Sequence, residues 1–211
     1  MRKYPFFIQP FIMKPRGPIC FAVLVSFLFF SSHAQPLKKA LEANDTLTAL
    51  QLLKNGADIN EKDSAQGNNV IQSFCRWGTI EIVKFLLDHG ANPDMNPSAK
   101  GRTALHVACA YYSCADICTL LIAHGANVNA KTIDGSTPLM LAAANAKKDV
   151  VELLLNKGAI AAQKDNAGNT ALKYASALTA DTENYVKKAT KTCIIDKAET
   201  LKILTKAIEN N

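Results

Sequence analysis

Apolar residues fall along this chain in short helical stripes rather than in alternating runs. Val150-Val151 and Leu154-Leu155 have the three-to-four spacing of one buried helix face, and Val83, Leu86 and Leu87 repeat it earlier. Such stripes close on Gly-Ala pairs that begin at residues 56, 90, 125 and 158. A shorter apolar stretch, Leu139, Leu141 and the small pair Ala142-Ala143, precedes the stripe at Val150. Between the stripes run polar turns built around Gly67, Gly101, Gly135 and Gly168, spaced 34, 34 and 33 residues apart. Each turn leads at a fixed offset into a helix start: Asn69-Val70-Ile71-Gln72, Thr103-Ala104-Leu105-His106, Thr137-Pro138-Leu139-Met140 and Thr170-Ala171-Leu172-Lys173. The pattern predicts a pair of short helices repeated along the chain. A unit of this size cannot bury its own apolar face, so the units must stack into an all-α solenoid. A solenoid offers a long surface and, by default, no pocket.

The recurring residues have local reasons. Thr137 is suited to cap a first helix through its hydroxyl, and Pro138 then sits at the first helical position, where its missing N–H costs nothing. Ala142 and Ala143 let the neighbouring helix approach. Gly158 ends the second helix in a left-handed conformation that glycine adopts without strain. These positions are scaffold.

The repeats resemble the ankyrin family. Its phrase Asp-Gly-x-Thr-Pro-Leu-His-x-Ala-Ala is matched by Asp134-Gly135-Ser136-Thr137-Pro138-Leu139-Met140-Leu141-Ala142-Ala143, and in the preceding unit by Gly101-Arg102-Thr103-Ala104-Leu105-His106-Val107-Ala108-Cys109. The second half of the motif stands as Val83-Lys84-Phe85-Leu86-Leu87-Asp88-His89-Gly90-Ala91-Asn92 and again as Val151 to Ala159. The resemblance covers about residues 36–211 and implies helix-turn-helix units joined by β-turn or hairpin loops. The expected units are 36–65, a capping unit without the Thr-Pro phrase, then 66–99, 100–133, 134–166 and a last unit 167–211. That last unit holds an insertion near 178–198, with its second helix resuming at Glu199. The motif histidine, which in the family bridges neighbouring repeats, survives only as His106; Gln72, Met140 and Lys173 replace it elsewhere.

The resemblance also implies where a partner would sit. Ankyrin proteins bind through their turn tips and the concave face of their first helices. The matching groove positions are Arg76 and Trp77, Tyr111 followed by Tyr112, and Asn145, with Arg102, Ile133 and Asp134 at the turn tips. Arg76, the only Trp and two of the five Tyr therefore cluster in adjacent units, and such side chains are common interface anchors.

The first 34 residues are different material. Their only charges, Arg2, Lys3, Lys14 and Arg16, are positive, an apolar run from Ile19 to Phe30 follows, and Ser32-His33-Ala34 has the small residues of a signal-peptidase site. A cleavable leader ending at Ala34, with Met13 as the true start, is expected. The domain is then 35–211, and the expected setting is the bacterial periplasm or the exterior. The apolar run is too short for a membrane span, which needs about 17–25 residues.

Charge loses its meaning once the leader is set aside. The whole chain carries +6, with 24 basic and 18 acidic residues. The leader holds four of the basic and none of the acidic ones, so the remainder carries +2 and has no cluster suited to tracking phosphates. No nucleic-acid partner is expected. Five cysteines follow the leader: Cys75, Cys109, Cys114, Cys118 and Cys193. Cys75 and Cys109 share one slot in neighbouring units, about 10 Å apart and beyond disulfide reach. Cys109 and Cys118 face each other within a unit, so a bridge there and plain apolar packing both stay open. No spacing fits a zinc site, and no nucleophile elbow, phosphate loop or His-Glu-x-x-His occurs. The expectation is a monomeric, non-enzymatic, protein-binding module without cofactor or metal. The alternatives are an accessory that shields an exported enzyme, and an activity grafted on the 178–198 insertion.

Overall fold

A computed structural model describes residues 36–62, 67–77, 79–95, 99–111, 115–177 and 196–209. The expected leader with Met13, Tyr112, Cys114, Cys193 and most of the insertion lie outside the described residues. The helices are α1 (Pro36–Glu42), α2 (Thr46–Lys54), α3 (Val70–Trp77), α4 (Ile80–Asp88), α5 (Ala104–Ala110), α6 (Ala115–Ala123), α7 (Pro138–Ala144), α8 (Lys148–Asn156), α9 (Ala171–Ser176) and α10 (Lys197–Glu209). The described residues thus form helix pairs, and the only β-pairing among them is an isolated bridge between Lys62 and Asn69. The helix α10 starts at Lys197, inside the stretch assigned to the insertion, because the Asp196 carboxylate accepts from the Glu199 N–H at 3.0 Å and opens it there.

First helices pack in one row, α3 on α5 on α7 on α9, and second helices in another, α4 on α6 on α8 on α10. Each first helix also packs on its own second helix. The approach of α1 to α3 is looser than that between later neighbours. One apolar core runs from Leu37 to Leu204 and contains Leu105, Leu121, Leu139 and Leu154, each essentially without solvent contact. The capping unit is wet on its outer side: α2 buries Ala49, leaves Leu50 half-buried and exposes Leu47.

The helix starts follow the sequence. Thr103 and Thr137 each accept from the third helical N–H, and Pro138 occupies the first turn. Asn69 and Gln72 exchange reciprocal bonds, Gln72 N–H to Asn69 Oδ1 at 3.0 Å and Asn69 N–H to Gln72 Oε1 at 3.1 Å, a capping box in amide form. Gly158, at φ +87°, ends α8 with its N–H on the Leu155 carbonyl. Gly135 is fixed by proximity as well: a Cβ there would lie 2.6 Å from Asn166 Oδ1. Loop side chains keep the register between repeats. Asn60 Oδ1 accepts from Asn92 N–H at 2.8 Å, Asp94 Oδ1 from Asn127 N–H at 2.9 Å, and Asn129 Oδ1 from Ile160 N–H at 3.0 Å.

The motif histidine and its amide substitute do the same work. His106 Nδ1 accepts from Thr103 N–H at 3.2 Å, and Nε2 donates to the Ser136 carbonyl of the next unit at 3.1 Å. One unit earlier, Gln72 Nε2 donates to the carbonyls of Met95 and Arg102. Met140 keeps the local half only, its sulfur accepting from Thr137 N–H at 3.4 Å.

Candidate functional site

Three of the predicted groove residues meet. At the end of α3, Arg76 places its guanidinium carbon 4.5 Å from the centroid of the Tyr111 ring and 5.8 Å from that of Trp77. A cation over two π-faces is favourable on both and holds the rings at a defined spacing. The two aromatics are thus linked through the guanidinium of Arg76. Trp77 stays 71% exposed, so most of the largest side chain in the cluster faces outward.

The turn-tip residues form a second group. Arg102, Ile133 and Asp134 line a cleft of about 320 Å³ with Lys100, Ser136 and Leu141. Ile133 is 71% exposed, although its N–H donates to the Lys100 carbonyl at 3.1 Å. The Asp134 carboxylate accepts from the hydroxyls of Thr132 at 2.5 Å and Ser136 at 3.2 Å. The Thr132 bond is the main cause holding its carboxyl below the ordinary range, and Arg102 adds a smaller pull. Asn145 joins neither group: it ends α7, and its side-chain amide donates to the Leu141 carbonyl at 2.8 Å.

Two features lie outside the sequence reading. A second cleft, of about 410 Å³, opens between the first two helix pairs beside Trp77, where a solenoid was expected to be pocket-free. The other is Lys147, whose side chain is buried rather than solvated. Its Nζ donates to the carbonyls of Ala108, at 3.3 Å, and Tyr111, near the C-terminal end of α5 where partial negative charge collects. Burial lowers its pKa, and the neighbouring Cys109 and Cys118 partly counter this. It follows Ala146, a non-glycine residue at φ +48°.

Cysteine chemistry is quiet here. Cys75, Cys109 and Cys118 are buried thiols outside any disulfide, and burial pushes the Cys75 and Cys109 thiols up, away from the reactive thiolate. The Cys109 thiol is hydrogen-bonded with Cys118. His89 and His124 sit at helix ends with Nδ1 on the carbonyls of Phe85 and Leu120, at 2.7 and 2.9 Å. Among the described residues no group of three or more His, Cys, Asp or Glu converges on a metal position, and no helix is long and apolar enough to cross a membrane.

Stacked helix pairs, turn-tip ladders and a bridging His or Gln define a helical-repeat protein whose exposed features are surfaces. The family is set by comparison with known sequences. The model for ankyrin repeats in three copies matches residues 37–132 and 116–188, and the chain belongs to the ankyrin repeat family. It is similar to human BCL-6 corepressor-like protein 1, with 33% identity over 64% of this chain and 8% of that protein. Human neurogenic locus notch homolog protein 4 is 39% identical over 54% of this chain and 5% of its own length. Human Rabankyrin-5 is 30% identical over 66% of this chain and 13% of its own. The chain therefore spans a small part of each relative.

Proposed function

We propose that this chain is an exported, non-enzymatic protein-binding module that grips its partner through the first-helix face and the turn tips. The observation that carries this reading is the cluster of Arg76, Trp77 and Tyr111. A guanidinium is held over two rings, and the tryptophan beside it is left 71% exposed. A large, preorganised aromatic surface that the fold does not bury is what an interface anchor requires. The cleft at Arg102, Ile133 and Asp134 supplies a second contact, with an exposed isoleucine flanked by charges of both signs. Membership of a repeat family supports a surface-binding role, and the leader read in residues 1–34 supports export to the periplasm or beyond.

The test is capture of partners from the native envelope or secreted fraction by the full chain, alongside Trp77→Ala. The variant is expected to weaken binding by about 2 kcal/mol or more, roughly thirtyfold, and to leave the unfolding midpoint almost unchanged. Full binding together with a large loss of stability would assign Trp77 to the fold and overturn this site. N-terminal sequencing of the captured chain is expected to begin at Gln35.

A further inference from the structure

The cleft between the first two helix pairs has a filled counterpart inside the same molecule. Thr79 precedes α4 at φ −87°, ψ 86°, and Lys147 precedes α8 at φ −81°, ψ 80°, so two repeats apart the backbone presents the equivalent position in the same pose. The same shift carries Leu41 onto Cys109, Phe74 onto Ala142 and Ile82 onto Val150. At the later seam the Lys147 stem crosses to α5 and its ammonium ends on main-chain carbonyls, with 1% of the residue exposed. At the earlier seam the corresponding space is the 410 Å³ cleft, and Thr79, lining it, is too short to fill it.

The walls suit the same kind of occupant. Leu41, Phe74 and Ile82 give an apolar lining for an alkyl stem, and the Trp77 ring stands beside them with a π-face that attracts a cation. The charged groups on the cleft are Glu42, Glu81 and Lys38, two carboxylates against one ammonium. Lys38 lies 3.8 Å from Glu42, and Glu81 is the second carboxylate on the lining.

We infer that this cleft is a binding site for a lysine side chain of a partner protein, inserted between the first two helix pairs as Lys147 is inserted between the third and fourth. The site is separate from the face proposed above, although Trp77 borders both, and a small probe tests it without any partner.

Trp77 is the only tryptophan and lines the cleft, so its fluorescence responds to occupancy there. Titration of the full chain with Nα-acetyl-lysine amide is expected to give a saturable change. The neutral isostere Nα-acetyl-norleucine amide should bind about tenfold more weakly, as expected when a charge-assisted contact is lost. Thr79→Lys, which supplies the plug from within, is expected to abolish the response while the helical circular dichroism stays. Glu81→Gln should weaken the lysine probe and spare the norleucine one, and it serves if Thr79→Lys does not fold. Equal binding of the two probes, no saturable response, or an undiminished response in folded Thr79→Lys would each overturn the assignment. Failure here would leave partner capture by the intact chain, and its loss in Trp77→Ala, untouched.

Discussion

The seam between the first two helix pairs and the seam between the third and fourth start from one backbone and end differently. At the later one Lys147 fills the interior and satisfies carbonyls of Ala108 and Tyr111, and α5 and α7 lie close. At the earlier one Thr79 leaves a cleft of about 410 Å³, and α1 approaches α3 more loosely. Backbone recurrence decides where a space falls in a repeat stack. A single side chain then decides whether that space becomes core or surface. The same rule governs the bridging slot, where His106 and Gln72 make equivalent bonds with side chains of different acidity.

The largest expected effect lies at the closed seam. Leu139 is buried in the continuous core, so Leu139→Ala should cost about 2–5 kcal/mol in equilibrium denaturation. Native-state hydrogen exchange should then show α1 and α2 opening at lower free energy than α7 and α8. Uniform protection across the two pairs would break the contrast between the seams.

A change in pH sharpens it next. Burial is the main cause that pushes His106 down to about 4 from its ordinary 6.5. The unfolded chain therefore takes up this proton first as pH falls. Stability from this group is complete above about pH 6.5, is lost progressively toward pH 4, and amounts to about 3 kcal/mol at most. His106→Gln copies the Gln72 arrangement of the preceding unit and should flatten that slope. The lowered carboxyls of Asp45, Asp88, Asp134 and Asp165 act only at lower pH, as each is protonated below the ordinary aspartate value of 3.8. A slope between pH 4 and 6.5 that persists in the variant would assign it to another group.

The smallest effect isolates the plug. Lys147→Met keeps most of the stem and removes the donor, leaving two carbonyls without it at a cost of about 1–3 kcal/mol. Relief from burying a charge offsets part of that loss. Thermal unfolding measures the remainder, and a variant more stable than the parent would show that desolvating the ammonium outweighs its hydrogen bonds.

Much of this was legible in the residues. The Thr caps, the Pro at the first turn of α7, the Gly at helix ends and the leucine stripes act within a few positions of themselves, and the structure repeats them as read. The grouping of Arg76 with Trp77 and Tyr111 was legible because equivalent positions in a stack are neighbours. The guanidinium bridge between the two rings was not, since register gives proximity and leaves the side-chain direction open. Asn145 fits the same register yet turns back onto the Leu141 carbonyl.

The sequence by itself determined the period, the helix pairs, the all-α stack and the family, because those rest on local capping and on apolar spacing that any copy of the repeat must keep. Tertiary structure alone decided that Lys147 is interior and that Thr79 borders a cleft. Those outcomes depend on how far a side chain reaches across to the preceding unit, and therefore on contacts between residues more than thirty positions apart.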